Sequence, residues 1–354
     1  MEKPEENIIE EAKNPAKKIK GMGVDMSPSV ELDNLKGGLD SLSNLISHDS
    51  PITGKKMEIL NDSLQGIKIN IGGQVMTVEE AEKIPDLKEN LKIWREILAG
   101  KFKNLGMDDL KLTFLIPEVA EALCKYTGDR IDLPHVKTIS DEVAEKLSKC
   151  KSTLFLRGLT TLSDESARYF GKYKGGHLIF SRLYELSDKA TEYLCEYRGG
   201  LQFQGRTIFS DKALGYLSKQ HQSNSMHLYG VTSLSDEGAK NLAEHEGEIL
   251  DLPGLATITD TAAELLSKRR GRLWLNGLTS LTDQVAERLS HHIGKDLCLD
   301  GLTSISDVAA EHLSKHRGDL SFTKLTTFSD KAAKFLSQHP HVFISDDKVK
   351  ARLK

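Results

Sequence analysis

The hydrophobic and polar positions between residues 108 and 347 repeat every 23 to 25 residues. Two neighbouring copies read LWLNGLTSLTDQVAERLS and LCLDGLTSISDVAAEHLS. Each copy contains a Ser/Thr-Asp pair, and its anchoring Asp is one of Asp141, Asp164, Asp188, Asp211, Asp236, Asp260, Asp283, Asp307 and Asp330. One period earlier, Glu118 marks a diverged first copy. Repetition with this period is typical of solenoids, whose units bury their apolar faces only against their neighbours.

Each copy predicts one short strand followed by one short helix. Apolar residues lie ten and eight positions before the anchoring Asp, as Leu273 and Leu275 do, which indicates a strand with one buried face. Ala two or three positions after the Asp, and Leu or Phe six positions after it, indicate one face of a helix. We interpret the Asp column as structural helix caps: Asp164, Asp188, Asp211, Asp236, Asp260, Asp283, Asp307 and Asp330. Six copies have glycine eleven positions after the Asp, which predicts a left-handed helix end: Gly175, Gly199, Gly247, Gly271, Gly294 and Gly318.

The motif in these copies resembles the leucine-rich repeat, LxxLxLxxNxL followed by a helix. It is most similar to the cysteine-containing repeat subtype of F-box proteins, with Leu or Val at the Cys position, as in Val136 and Leu278, and with Arg206 as an exception. The resemblance implies an α/β solenoid of about ten repeats over residues 108–347. Its parallel β-sheet would line the concave side and its short helices the convex side. Ubiquitin ligation is not implied, because no F-box is recognised.

The segments outside the repeats are assigned by their own patterns. Residues 1–30 are charged and poor in aromatic residues, which predicts a disordered tail. Residues 31–107 are predicted to form an N-terminal capping region: a helix with Leu32 and Ile46 on its apolar face, a β-hairpin around Gly72-Gly73, and an amphipathic helix containing Trp94. The first helix either docks a partner or, as we favour, packs on its own domain. Residues 348–354 form a charged C-terminal tail.

Composition narrows the classes of partner. A formal net charge of −4 with 28% charged residues gives no bias toward nucleic acid. We find no apolar segment typical of secretion or of membrane spanning, so neither a membrane nor nucleic acid is expected as a partner, and a monomer is expected. The four cysteines contain no CxxC pair, which indicates reduced thiols and a cytoplasmic location.

Three columns of polar residues are candidates for metal binding or hydrogen bonding. The Asp column could bind calcium, but helix capping explains it locally. The column His245, His292, His316 and His339 could hold a metal, but an imidazole at a helix C-terminus has a simpler electrostatic explanation. Six threonines four positions before their Asp are predicted to bond to backbone groups of the turn or of the next coil: Thr160, Thr207, Thr232, Thr279, Thr303 and Thr326. No catalytic motif is recognised, so we expect no enzyme activity, no cofactor and no metal.

The outward strand positions carry the functional prediction. Residues nine and seven positions before the anchoring Asp vary between copies while the buried columns scarcely change. We therefore expect partner-protein binding on the concave face through Phe155, Arg157, Gln202, His227, Tyr229, Asp251, Trp274, Asn276 and Asp300. The alternatives are carbohydrate or small-ligand binding at Phe155, Tyr229 and Trp274, or a purely structural scaffold.

One copy is irregular. It reads LQFQGRTIFSDKALGYLSKQHQSNS and is 25 residues long, with Arg206 at an apolar position and Gln222 where glycine is expected. The irregularity either kinks the array, opens a small pocket, or is absorbed by a bulge, and we favour the bulge.

Overall fold

The computed structural model describes residues 68–71, 74–104, 106, 110–220, 225–345 and 351. The predicted tail 1–30 and the predicted helix at 32–46 lie outside the described residues, as does nearly all of the tail 348–354. The chain divides into two compact units, residues 1–91 and 92–354. No helix in the described ranges has the length and apolar character needed to cross a membrane.

A two-stranded hairpin lies in the first unit, where the sequence predicts one. Strands β1 (Lys68–Ile71) and β2 (Gln74–Thr77) pair antiparallel. The short helix α1 (Val78–Ala81) follows directly and begins with a capping box. The Glu80 amide donates to Thr77 Oγ1 at 3.2 Å, and the Thr77 amide donates to Glu80 Oε2 at 2.8 Å. The two reciprocal bonds satisfy amides that the first helical turn leaves free.

Helix α2 (Pro85–Leu98) spans the division between the units. Its Trp94 is fully buried and donates from Nε1 to the Phe114 carbonyl at 3.3 Å. The Trp94 and Phe114 rings meet edge to face with their centroids 4.8 Å apart. Trp94 and Phe114 both belong to the second unit, and the boundary at residue 108 stays a prediction. A 3-10 turn (Phe102–Asn104) follows α2, and the capping role of this region stays a prediction.

From residue 117 onward, short helices and strands alternate. The helices are α3 (Pro117–Leu123), α4 (Asp141–Leu147), α5 (Asp164–Phe170), α6 (Asp188–Leu194), α7 (Asp211–Ser218), α8 (Asp236–Ala243), α9 (Asp260–Ser267), α10 (Asp283–Ser290), α11 (Asp307–Leu313) and α12 (Asp330–Ser337). The strands are β3 (Arg130–Asp132), β4 (Thr153–Leu156), β5 (His177–Phe180), β6 (Gly200–Phe203), β7 (Ser225–His227), β8 (Ile249–Asp251), β9 (Arg272–Trp274), β10 (Asp296–Cys298), β11 (Asp319–Ser321) and β12 (Val342–Phe343). The second unit is an α/β leucine-rich-repeat solenoid of about ten repeats.

Two parallel sheets line the solenoid, β3-β4-β5-β6 and β7-β8-β9-β10-β11-β12. Pairing joins equivalent positions of successive repeats, so Leu154 lies opposite Leu178 and Leu297 opposite Leu320. These strand leucines are fully buried, as are the Ala and Leu columns of the helices. The core is thus a continuous apolar layer between the sheets and the helix row, as expected when no single repeat can bury its own face.

The two residues of the Ser/Thr-Asp pair make different contacts. The N-cap residue of each helix from α4 to α12 is the Ser or Thr; the Ser187 hydroxyl, for example, accepts from the Ala190 amide at 2.9 Å. The Asp is the first helical residue, and in six repeats its carboxylate accepts a hydrogen bond from a hydroxyl of the next repeat, as Asp236 accepts from Thr259 at 2.7 Å. The Asp column therefore joins neighbouring helices as well as favouring their positive ends.

The glycines after the helices have a different role from the predicted one. Within the described residues, only Gly100 has a positive φ, so the left-handed helix end is wrong for Gly175 and its equivalents. A Cβ at Gly175 would lie 2.5 Å from the carbonyl oxygen of Ser152 in the preceding repeat. Glycine is needed there because two successive turns approach closely, not because the backbone conformation requires it.

Candidate functional site

The sheet face consists of the residues nine and seven positions before each anchoring Asp. Strand register aligns them one per repeat, with Asp251 opposite Trp274 and Trp274 opposite Cys298. Trp274 and Cys298 are partly exposed, whereas Leu275 and Leu299 beside them are fully buried. The strand residues therefore fall into two rows, as the period-two pattern predicts. We call the nearly constant inward residues the buried row and the variable residues of the sheet face the outer row.

The predicted residues Phe155 and Arg157 belong to a cluster around one buried carboxylate. Asp132 is 0% exposed, and it accepts from Arg157 Nε at 3.0 Å and from Arg130 Nη2 at 2.6 Å. The Arg130 guanidinium also lies 4.0 Å from the centroid of the Phe155 ring. Two cations against one carboxylate leave a net positive, pre-ordered surface, because each guanidinium is held by a charge-assisted bond.

A second cluster joins three predicted residues in the other sheet. His227 Nδ1 lies 2.9 Å from Asp251 Oδ2, and the His227 and Trp274 ring centroids are 6.3 Å apart. Asp251 Oδ1 and Trp274 Nε1 are buried without a hydrogen-bond partner among the residues described. Tyr229 is 43% exposed. Sugar stacking on both aromatic side chains would need the Tyr229 and Trp274 rings to lie together, and the ring contacts of the described residues pair Trp274 with His227 instead.

Asn276 and Asp300 bond to their own sheet. Asp300 Oδ1 accepts from the Ser321 hydroxyl at 2.7 Å and from the Thr323 amide at 2.9 Å, and Asn276 Oδ1 accepts from the Asp300 amide at 3.2 Å. These bonds fix the side chains that a partner would meet. Gln202 and Gln204 are exposed, and Gln204 Nε2 donates to Gln202 Oε1 at 3.4 Å.

A cavity of about 360 Å³ opens beside the irregular repeat, at the break between β6 and β7. Among residues 200–203 and 225–229, the two strands meet only at the Phe203–Leu228 bridge. Of the three predicted outcomes for this repeat, the structure therefore contains a pocket. We call it the break cavity, and it is lined by His177, Gly200, Leu201, Gln202, Phe203, Gln204, Leu217, Gln220, Ser225, Met226, His227, Leu228 and Tyr229.

The His column belongs to a larger set of side chains, the ladder positions nine residues after each anchoring Asp: Cys150, Tyr173, Tyr197, Gln220, His245, Arg269, His292, His316 and His339. Most of them donate to backbone carbonyls of the preceding repeat. Tyr197 Oη donates to Gly175 at 2.8 Å, and His339 Nε2 donates to His316 at 2.9 Å. The sequence contains this signal, since eight of the nine ladder residues are Tyr, Gln, His or Arg, which all donate hydrogen bonds, but the sequence prediction considered a role only for the histidines.

The buried Arg269 was also missed. Its side chain is 1% exposed and donates to the carbonyl of Arg272 at 2.7 Å and to that of Gly247. Burial lowers the pKa of Arg269 to about 10. The described residues contain no group of three His, Cys, Asp or Glu side chains placed to hold a metal ion. His245, His292 and His339 contact backbone carbonyls of the preceding repeat, and the His316 ring stacks between those of His292 and His339.

The predicted Thr contacts are confirmed at three positions. Thr160, Thr207 and Thr326 donate from Oγ1 to carbonyls of the preceding repeat at 3.1, 2.9 and 3.3 Å. The Thr column therefore forms a second ladder at the strand-to-helix turns. Two rows of side-chain bonds hold the stacked repeats in register, which gives the sheet face a rigid support.

The prediction of four reduced thiols is wrong for two of them. Cys124 at the end of α3 and Cys150 in the next repeat form a disulfide. Cys195 and Cys298 are free, and burial raises the pKa of each thiol to about 12. Disulfides are typical of oxidising compartments, so the cytoplasmic location loses the support it took from reduced thiols.

In the comparisons with known proteins, solved structures are similar to this chain, whereas sequence families and curated proteins are not. No protein-family model and no curated protein matches the sequence. A leucine-rich-repeat protein of Leptospira interrogans is similar over 68% of this chain, with 21% identity and a TM-score of 0.42. The match covers 61% of that protein, so this chain spans less than two thirds of its length. An internalin of Listeria monocytogenes is similar over 85% of this chain and 96% of its own, with 13% identity and a TM-score of 0.40.

Proposed function

We propose that this chain is a non-catalytic interaction module that binds a partner protein through the sheet face. The observation that carries the proposal is the contrast between rows. The buried row is nearly constant and supports the repeats, whereas the outer row varies between repeats and includes side chains that a partner can reach, such as Gln202, Tyr229 and Trp274. Variation restricted to the accessible row of a rigid scaffold is typical of recognition surfaces.

The chemistry of the outer row supports the same proposal. Trp274 is partly exposed and lies opposite Asp251 in the sheet. Among the described residues, its buried Nε1 and the buried Oδ1 of Asp251 have no hydrogen-bond partner. Arg157 and Phe155 are held in place by Asp132 and Arg130. Aromatic and Arg side chains dominate binding energy in protein interfaces, and anchors that are already ordered lose little entropy on binding.

Quantitative affinity capture tests the proposal. The intact chain and a Trp274→Ala/Tyr229→Ala variant serve as baits in matched extracts, with recovered proteins measured by mass spectrometry. We expect at least one partner to fall by about tenfold or more with the variant, as loss of a hot-spot aromatic predicts. Tyr184→Ala/Tyr216→Ala, which changes two tyrosines outside the outer row, is the control.

Two outcomes would contradict the proposal. Equal recovery of every protein by the intact chain and the sheet-face variant would remove the sheet face from recognition. Recovery of none by either bait would favour a purely structural scaffold.

A further inference from the structure

The break cavity lies where the solenoid departs from its own pattern. Neighbouring strands elsewhere in the two sheets pair over two to four consecutive positions. Between β6 and β7, the pairing described is the single Phe203–Leu228 bridge. The anchoring residues Asp211 and Asp236 of the two flanking repeats are 25 positions apart, the longest spacing in the array. The bridge joins the C-terminal ends of the two strands, and the cavity lies at this break.

The floor of the break cavity is apolar and accessible. Leu201, Phe203 and Met226 line it with exposed fractions of 7%, 5% and 5%. Leu273 and Leu275, which occupy the same positions in a regular repeat, are 0% exposed. The core therefore keeps a small exposed apolar area at the break, and a ligand with an apolar face would gain by covering it.

The rim of the break cavity is polar. Gln202, Gln204 and Gln220 contribute carboxamides, Tyr229 a phenol, and His177 and His227 imidazoles. None of the lining residues, which all lie in the described part of the chain, is Asp, Glu, Lys or Arg. Carboxamides both donate and accept, so the rim suits a ligand with many neutral hydrogen-bonding groups. It offers no fixed charge to an anion or a cation.

We propose that the break cavity binds the ring of a neutral saccharide. A pyranose ring has an apolar C–H face and a rim of hydroxyls that donate and accept, which matches an apolar floor below carboxamides. Aromatic side chains such as Tyr229 add stacking surface for the C–H face. A cavity of about 360 Å³ is at the lower end of the range for small-ligand pockets. The proposal goes beyond partner-protein binding and does not depend on it.

Calorimetric titration of the intact chain with a panel of neutral sugars tests this site. The probes are glucose, galactose, mannose, N-acetylglucosamine and their disaccharides, and glucuronate is the anionic comparison. We expect saturable binding of at least one neutral sugar, with glucuronate weaker because no cationic side chain lines the cavity. The double variant Gln202→Leu/Gln204→Leu should lose about tenfold in affinity, as removal of one or two hydrogen bonds predicts.

Matched variants separate this site from the sheet face. Gln284→Leu makes the same substitution on the exposed side of α10 and should bind sugar like the native chain. Phe155→Ala, whose ring lies against Arg130 and outside the cavity lining, should also leave sugar binding unchanged. Amide hydrogen exchange of residues 200–203 and 225–229 in the native chain gives a readout without any variant, and it should slow when sugar is bound.

The failures of the two proposals are distinguishable. Absence of binding at millimolar sugar, binding that survives the double variant, or unchanged exchange at the break would overturn the saccharide site. If no sugar binds but Gln202→Leu/Gln204→Leu abolishes capture of a protein partner, the cavity receives a protein side chain and only the saccharide proposal is overturned.

Discussion

The two halves of the solenoid have different side chains at the ladder positions. In the half with strands β3 to β6, the ladder positions are a disulfide-bonded Cys150 and the tyrosines Tyr173 and Tyr197, whose rings lie 5.5 Å apart. In the half with β7 to β12, they are four histidines and Arg269. The rings of His292 and His316 stack at 5.8 Å, and those of His316 and His339 at 6.2 Å.

The difference lies in how each half responds to pH. Burial raises the pKa of Tyr197 to about 12, so its hydroxyl remains a neutral donor. Burial lowers the pKa of His245 to about 4, with the Arg269 cation as a second cause, and burial and the neighbouring imidazoles lower that of His316 to about 4. Burial also lowers the pKa of His339, although the hydrogen bond from its Nε2 to the His316 carbonyl acts in the opposite direction. Equivalent ladder positions thus hold side chains that do not titrate in acid in one half and side chains that gain a proton in acid in the other.

The largest expected effect is acid destabilisation of the histidine half. In the unfolded chain a histidine binds its proton at a pKa near 6.5, whereas folded His245 and His316 have pKa values of about 4. Stability is therefore full above pH 6.5 and falls as the pH drops toward 4, by up to about 3 kcal/mol for each such histidine. Urea unfolding at several pH values, followed by Trp274 fluorescence in a Trp94→Phe variant, measures this loss.

The paired experiment uses the other tryptophan. Trp94 fluorescence in a Trp274→Phe variant reports unfolding near the first repeats and should depend less on pH. Substituting His316→Gln should reduce the acid sensitivity, because Gln220 already occupies a ladder position and donates to the Tyr197 carbonyl at 3.3 Å. Equal acid losses at both tryptophans would contradict the comparison.

An intermediate effect is expected from reducing the disulfide in the tyrosine half. Cys124 and Cys150 close a loop with a sequence separation of 26. Reduction should lower the free energy of unfolding near Trp94 by about 3 kcal/mol, because the reduced unfolded chain gains loop entropy. Urea unfolding with and without reductant measures the change. A Cys124→Ser variant, which reductant should not affect further, is the control, and four free thiols in the unreduced protein would refute the prediction.

The smallest expected effect is the loss of one ladder hydroxyl. Tyr197→Phe removes the donor to the carbonyls of Gly175 and Gly176, which lie 2.8 and 2.9 Å from Oη. The free energy of unfolding should fall by about 1–2 kcal/mol, by the same amount at neutral and mildly acidic pH. Tyr193→Phe on the partly exposed side of α6 provides the control and should change stability by less than Tyr197→Phe. A pH-dependent loss would show that the two halves share their acid sensitivity.

The sheet face shows where sequence reasoning succeeded and where it stopped. Period two placed Trp274 and Cys298 outside and Leu275 and Leu299 inside, because a strand leaves only two orientations for a side chain. Strand register then followed from the repeat spacing. The pattern did not show that Arg130 and Arg157 share the buried Asp132, because such sharing depends on distances between repeats.

The sequence by itself determined the repeat, its strand and helix, and which columns are buried, because local periodicity and the burial of apolar residues act within each copy. Only the tertiary structure decided what the polar columns do. The ladder side chains, the Cys124–Cys150 disulfide, the close approach at Gly175 and the break cavity each join residues more than twenty positions apart. Such contacts depend on how one repeat is placed on the next, and that placement is fixed by packing across the whole stack.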